Sequence, residues 1–215
     1  MLAYANLLAI LPALPRIALP GPWYRAVAVD YLQGPPPGAP AGSPIQPLWP
    51  GGCHRKGVRF TPKSPPAAPI DGLYLGTDET TTIAEVTGVL RPPGSPVAIV
   101  FNPLALLSVL GVLTNLLDTT DSVVQAALGT NQQELTGDWA KAQAKYLAGA
   151  GPMPPTQVLG QAAFDAGGIV GLLYESTKSS TNGKGILVFT DRLAGAGNYV
   201  ELYNQPGGKL QQRIP

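Results

Sequence analysis

The sequence predicts an α+β fold: a single domain built on one twisted β-sheet with flanking helices. Three observations carry this. Strand-like patterns open the chain, helix-like patterns fill its middle and strand-like patterns return at the end, which suits one sheet core with helices packed beside it. The length of 215 residues fits one domain. Hydrophobic residues make up 45% and charged residues only 13%, so the chain can bury a core. Its 26 glycines and 24 prolines stay just under the roughly 25–30% of low-complexity chains and imply long loops.

The elements follow in order. Residues 1–21 form an apolar N-terminal arm, MLAYANLLAILPALPRIALPG, with a short helix over 1–11 laid on the body. It is no signal peptide, because it lacks a basic opening and Pro12, Pro15 and Pro20 interrupt any long helix. WYRAVAVDY (23–31) mixes aromatic and β-branched residues and reads as a strand. Residues 34–52 hold seven prolines and five glycines, too many for any regular element. Val58-Arg59-Phe60 and Gly72–Gly76 are short strands on either side of a second proline-rich loop at 62–69. A helix opens after Thr77 or Asp78 as cap, with Glu79 in its positive first turn and Ile83, Ala84 and Val86 on its apolar face. Gly88 and Pro92-Pro93 end it.

Val97–Leu117 carries no charge and is long enough to span a bilayer. Asn102-Pro103, Ser108, Thr114 and Asn115 break the run, so a buried strand (Val97–Phe101), an Asn-Pro turn and a core helix account for it better. Asp118–Asp121 caps a helix at about 121–129. Another covers 132–148, with Leu135, Trp139, Ala142 and Tyr146 at helical spacing. Pro152, Pro154 and Pro155 break the chain, and Thr156 caps a helix running to about Gly167. Gly168–Ser176 and Gly185–Thr190 are strands around a polar turn, and Tyr199–Tyr203 is a last strand. The tail, 204–215, ends polar and is expected to fray.

Charge and composition exclude several functions. Fourteen basic against 13 acidic residues leave a net charge of +1, which provides no field for nucleic acid or an anionic membrane. A single cysteine, Cys53, rules out an intrachain disulfide framework and fits a reducing, cytoplasmic setting. A single histidine, His54, excludes sites needing two imidazoles, and no G-x-S-x-G elbow exists to pair with it. Cys53-His54 lacks partners for a metal, so no metal is expected.

Candidate site residues are polar groups in apolar settings. Arg25 interrupts the strand WYRAVAV, where it either faces solvent by alternation or is buried against a partner. Arg59 in GVRF has the same two readings. Glu85 lies mid-helix among Ile83, Ala84 and Val86, on a solvated face or in a site. Ser176 ends the strand IVGLLYES, where a serine is also ordinary turn chemistry.

Taken together these segments resemble the RES domain family. WYRAV (23–27) is similar to the family's opening strand with its signature arginine. GVRF (57–60) and GLYLGTDETTTIAEV (72–86) resemble its second arginine, its tyrosine strand and its glutamate helix, with Tyr74 and Glu85 at the expected spacing. PTQVLGQAAFDAGGIVGLLYESTKSSTNGKGILVF (155–189) is similar to its helix, serine-terminated strand, turn and final strand. LLDTTD (116–121) resembles an internal landmark. The likeness covers about 22–203, the expected domain.

The resemblance implies an ADP-ribosyltransferase-like fold of the diphtheria-toxin type. It implies a toxin of a toxin–antitoxin pair that cleaves the nicotinamide–ribose bond of NAD+ by hydrolysis or phosphorolysis. The alternatives are a protein mono-ADP-ribosyltransferase and an inactive binding module. NAD+ is then a substrate, and an Xre-like antitoxin is the implied protein partner. A homodimer, with the apolar arm exchanged between subunits, stays open. By this likeness Glu85 stabilises the ribosyl cation, Arg25 and Arg59 anchor phosphates, Tyr74 stacks on nicotinamide, and Ser176 bonds a ribose or orients Glu85. Tyr24 precedes the signature arginine where some relatives have a tyrosine after it. Asn182 stands two residues from the place of a common asparagine.

Overall fold

The computed structural model describes the whole chain except residues 41, 88–102, 179–181, 195–196 and 206. Among the described residues eight strands form one sheet. Its backbone is β4 (Leu104–Asp118), fifteen residues long. Strands β1 (Ile17–Pro20) and β2 (Trp23–Ala28) run antiparallel along one edge of β4, from Ile17 opposite Leu116 to Ala28 opposite Leu104. The other edge is shared. Strand β7 (Tyr199–Tyr203) pairs antiparallel at Val109–Val112, and β5 (Gly171–Glu175) pairs parallel at Leu116–Asp118. Gly111 makes the β7 approach possible, because a Cβ there would sit 2.2 Å from the Tyr199 carbonyl oxygen.

From β5 the sheet continues through β6 (Lys184–Phe189) to β3 (Gly72–Gly76), both antiparallel. Tyr24 opposite Gly76 then joins β3 back to β2. The pairings therefore close a ring of β2, β3, β6, β5 and β4, with β7 and its partner β8 (Leu210–Ile214) branching from it.

Both faces of β5 and β6 are covered, and this is why GLLYE and KGILVF read as nearly continuous apolar runs. On one face Leu172, Tyr174, Leu187 and Phe189 meet α1 (Tyr4–Ile10) and α7 (Pro155–Asp165) through Leu7 and Leu159. On the other, Leu173, Ile186 and Val188 pack with Trp23, Leu73, Val109 and Leu202. The remaining helices are α2 (Gly52–Lys56), α3 (Glu79–Val86), α4 (Ser122–Ala127), α5 (Gln132–Leu135) and α6 (Trp139–Leu147).

The α+β expectation holds at this level: one domain with a single sheet and helices beside it. Several elements differ. The core helix expected up to Leu117 is strand β4, and the strand expected at Val97–Phe101 lies outside the described residues. Leucine-rich LALLSVLGVLTNLLD looks helical in composition, but β4 has partners along both edges; one face buries Val109 and Leu113 while Leu106 and Leu110 on the other stay exposed, and pairing overrides the helix-like composition. Val58–Phe60 is no strand but a tight turn in which Val58 pairs with Thr61. Residues 132–148 divide into α5 and α6 around Gly137. Thr156 is not the cap of α7: Pro154 takes that place, and Pro155 occupies the first turn, where its missing N–H costs nothing. The expected C-terminal tail holds a further strand: Leu210–Ile214 form β8, which pairs with β7.

In the N-terminal segment, α1 buries Leu7 and β1 joins the sheet. Among the described residues no helix is long and apolar enough to cross a membrane.

Candidate active site

The site starts at the end of α3. Asp78 caps this helix, its carboxylate accepting from the Thr81 amide at 2.8 Å. Such a cap satisfies an orphan N–H and fixes where the helix begins. Glu85, in the last turn, therefore projects at a defined position. Ser176 follows β5, its amide bonded to the Gly183 carbonyl at 3.1 Å. The Ser176 hydroxyl donates to Glu85 Oε1 at 2.6 Å.

Lys178 completes this corner. Its amide donates to Ser176 Oγ at 3.2 Å, and its ammonium donates to the main-chain carbonyl of Glu85 at 2.9 Å. The amide contact occupies a lone pair of Ser176, leaving the single hydroxyl proton for Glu85. The ammonium meets the negative end of the α3 dipole.

A cleft of about 630 Å³ opens in front of Glu85, within the roughly 300–1,000 Å³ usual for small-molecule sites. Among the described residues, Arg25, Lys56, Arg59 and Lys178 line it beside a single carboxylate, that of Glu85. A protein of net charge +1 thus places four of its 14 basic residues around one cleft, a local excess that suits an anionic ligand. Trp49, Tyr74, Tyr174 and Trp139 contribute aromatic surface.

The two arginines sit differently. Arg59 is 6% exposed. Its Nε and Nη2 donate to the Leu135 carbonyl at 3.1 and 2.6 Å, and Nη1 donates to the Glu175 carbonyl at 2.8 Å. The rings of Phe60 and Tyr174 lie 5.2 and 5.0 Å from its guanidinium carbon. Burial lowers its pKa, while Tyr174, Glu85, Tyr74 and Glu175 pull the other way. Arg25, on β2, makes one hydrogen bond, from Nη2 to the Trp49 carbonyl at 2.9 Å, and its Nε has no partner among the described residues. Desolvation brings its pKa down to about 10, so it remains charged at neutral pH.

Tyr74 presents its ring to the cleft while its hydroxyl is occupied, accepting from the Phe60 amide at 3.2 Å and bonding Thr61 Oγ1 at 3.0 Å. Burial raises its pKa well above the usual phenol value. Cys53 and His54 part company. The Cys53 thiol donates to the Ile70 carbonyl and accepts from the Gly72 amide, each at 3.2 Å, whereas His54 Nδ1 lies 2.9 Å from Asp71.

Of the sequence-predicted residues, Arg25, Arg59, Tyr74 and Glu85 line the cleft, and Ser176 reaches it through Glu85. Tyr24 and Asn182 are not among the cleft-lining residues. The Tyr24 carbonyl accepts from Thr82 Oγ1 at 3.5 Å. Asn182 is exposed in the turn before β6, at a φ of 56°. Trp49, Tyr174, Lys56 and Lys178 were missed. Trp49 had one signal, an indole inside a proline-rich loop. The others look like ordinary strand, helix and turn residues.

A comparison with curated proteins finds no match. A model of the RES domain matches residues 22–206, nearly the whole chain, and spans β2 through β7 with every residue of the cleft named here. The chain belongs to the RES domain family.

Proposed function

We propose that this RES domain protein consumes NAD+, cleaving the bond between nicotinamide and ribose and passing the ribosyl group to water or phosphate, as the toxin of a toxin–antitoxin pair. The observation that carries the reading is the Ser176–Glu85 hydrogen bond at the wall of a basic, aromatic-lined cleft. A single domain with one mixed sheet and several helices is compatible with an ADP-ribosyltransferase-like fold.

The chemistry asks for little. As the C–N bond breaks, its electron pair leaves with the pyridinium nitrogen and nicotinamide departs neutral. The ribose carbon becomes an oxocarbenium-like cation, which a nearby carboxylate stabilises more than it stabilises the ground state. Glu85 has this role, and Ser176 holds its carboxylate in one orientation. Water then adds to the ribose carbon and releases a proton, or phosphate adds to give a ribosyl phosphate ester. Arg25, whose Nε has no partner among the described residues, fits the pyrophosphate. Arg59 has three N–H bonds to main-chain carbonyls, so it shapes the wall as much as it attracts anions. Tyr74 offers a ring to the nicotinamide. An Xre-like protein would silence the toxin by covering the cleft.

The test is NAD+ loss by the purified chain in buffer with and without phosphate, with products separated by chromatography. The reading expects rapid loss, with ADP-ribose in both buffers for a hydrolase and a phosphorylated ribosyl product in phosphate for a phosphorylase. Intact NAD+ in both buffers overturns it.

A further inference from the structure

The last turn of α3, like any helix end, has carbonyls without partners inside the helix. Thr87, its C-cap, takes two of them. Its amide and hydroxyl both donate to the Ile83 carbonyl, at 2.9 Å each, and the hydroxyl also reaches the Ala84 carbonyl at 3.3 Å. The next carbonyl is that of Glu85. α3 has no basic residue in its last turn, and the donor comes instead from Lys178, 93 residues away, at 2.9 Å. A lysine so placed suits the carbonyl end of a helix in charge as well as in hydrogen bonding.

Lys178 thus holds both sides of the Ser176–Glu85 pair. Its main-chain amide donates to Ser176 Oγ at 3.2 Å, and its ammonium fixes the backbone from which Glu85 projects. With the 2.6 Å Ser176–Glu85 bond these contacts close a ring. The ring runs through hydroxyl, carboxylate, α3 backbone and ammonium to the Lys178 main chain. Its members come from a helix end and an exposed turn, where local structure loosens first. A hydroxyl can rotate, and a carboxylate in a last turn moves when that turn frays. The ring restrains both.

We propose that Lys178 is a positioning residue: it acts on the reaction through the Ser176–Glu85 pair, aligning the carboxylate, and not by contact with the substrate. The NAD+ reading supplies the reaction that this alignment serves. Lys178 also lines the cleft, so the competing role is an ammonium that grips a ligand's phosphates. A positioning lysine changes kcat, whereas a phosphate-binding lysine changes KM.

Steady-state kinetics with NAD+ on Lys178→Met, Lys178→Arg, Ser176→Ala and the Ser176→Ala/Lys178→Met double variant test this. Methionine keeps the main-chain amide and removes the charge. It should lower kcat about three- to tenfold, the scale of one hydrogen bond, with KM within about twofold. Arginine, which can still donate to the Glu85 carbonyl, should return kcat to within about twofold. In the Ser176→Ala background the methionine should lower kcat by less than about twofold, because the pair it aligns is already broken. Amide exchange followed by NMR gives a readout independent of turnover. The Thr87 amide, bonded to the Ile83 carbonyl, should exchange about tenfold faster in Lys178→Met and regain its protection in Lys178→Arg. A raised KM at unchanged kcat, full additivity in the double variant, or unchanged exchange at Thr87 overturns the proposal. The failures separate. Nicotinamide release that ignores Lys178 leaves the enzyme reading intact, and Thr87 exchange that follows Lys178 in a chain releasing no nicotinamide sinks that reading and keeps the clamp.

Discussion

Ser176 donates a 2.6 Å hydrogen bond to Glu85 across 91 residues of sequence. It joins the end of β5 to the last turn of α3, so the carboxylate is aimed by two elements. The consequence is a split between the two side chains. Glu85→Gln should lower NAD+ turnover by about 10²–10³-fold, the scale for losing a pre-organised electrostatic group. Ser176→Ala should lower it by about 10–100-fold, mainly in kcat, as expected for a bond to a charged group worth about 1.5–3 kcal/mol. Steady-state kinetics of the two variants check this.

Arg59 and Arg25 should part in their effects. Arg59→Ala leaves the Leu135 and Glu175 carbonyls without their donor and leaves a gap beside the packed Phe60 and Tyr174 rings. A loss of about 3 kcal/mol is expected, which lowers the melting temperature by about 6–12 °C at this chain length. Lysine should not restore it, having no planar fork. Arg25→Ala removes one hydrogen bond and should change the melting temperature by no more than a few degrees while raising the KM for NAD+. Thermal melts beside kinetics decide.

Gly160 offers a packing test behind the wall of the cleft. It lies in α7, where a Cβ would meet the Phe60 carbonyl oxygen at 1.8 Å. Helix propensity alone would have Gly160→Ala stabilise by about 1 kcal/mol. The contact instead pushes the Arg59–Phe60 turn outward, and a destabilisation of about 2 kcal/mol is expected, measured by urea unfolding.

The pH dependence has a definite sign. Burial raises the Cys53 thiol and the Tyr74 and Tyr174 phenols above their ordinary values. In the unfolded chain these groups ionise near about 8.5 and 10, so the unfolded state loses protons first. Their contribution is fully present below about pH 8.5 and is lost as pH rises through the unfolded and then the raised folded values. Arg25, lowered to about 10, opposes this slope only above that pH. Urea midpoints should therefore fall from about pH 8.5 upward, less steeply in Tyr74→Phe. A flat profile to pH 10.5 would contradict the burial of these groups.

The parts of the site that were legible in the sequence are those built by short-range chemistry. Asp78 as the cap of α3 placed Glu85 in the helix, and the polar turn after an apolar run placed Ser176 at a strand end. What could not be read depends on distant partners. Nothing in LALLSVLGVLTNLLD announces that β2, β1, β7 and β5 pair along it, so its leucines suggested a helix. Arg59 and Phe60 looked like strand residues because both are buried, but their burial comes from Tyr174 and Gly160, about a hundred residues away. The basic cleft was hidden for the same reason: Lys56, Arg59 and Lys178 are scattered in sequence and balanced by acids elsewhere, so the net charge of +1 concealed a local excess.

The most direct measurement is the release of free nicotinamide from NAD+, followed by proton NMR, for the purified chain beside Glu85→Gln. The account predicts steady release by the unsubstituted chain, reduced by about 10²-fold or more in the variant while its melting temperature stays within a few degrees. Equal release by both proteins, or none by either, would contradict the assignment of Glu85 and its cleft to cleavage of the nicotinamide–ribose bond.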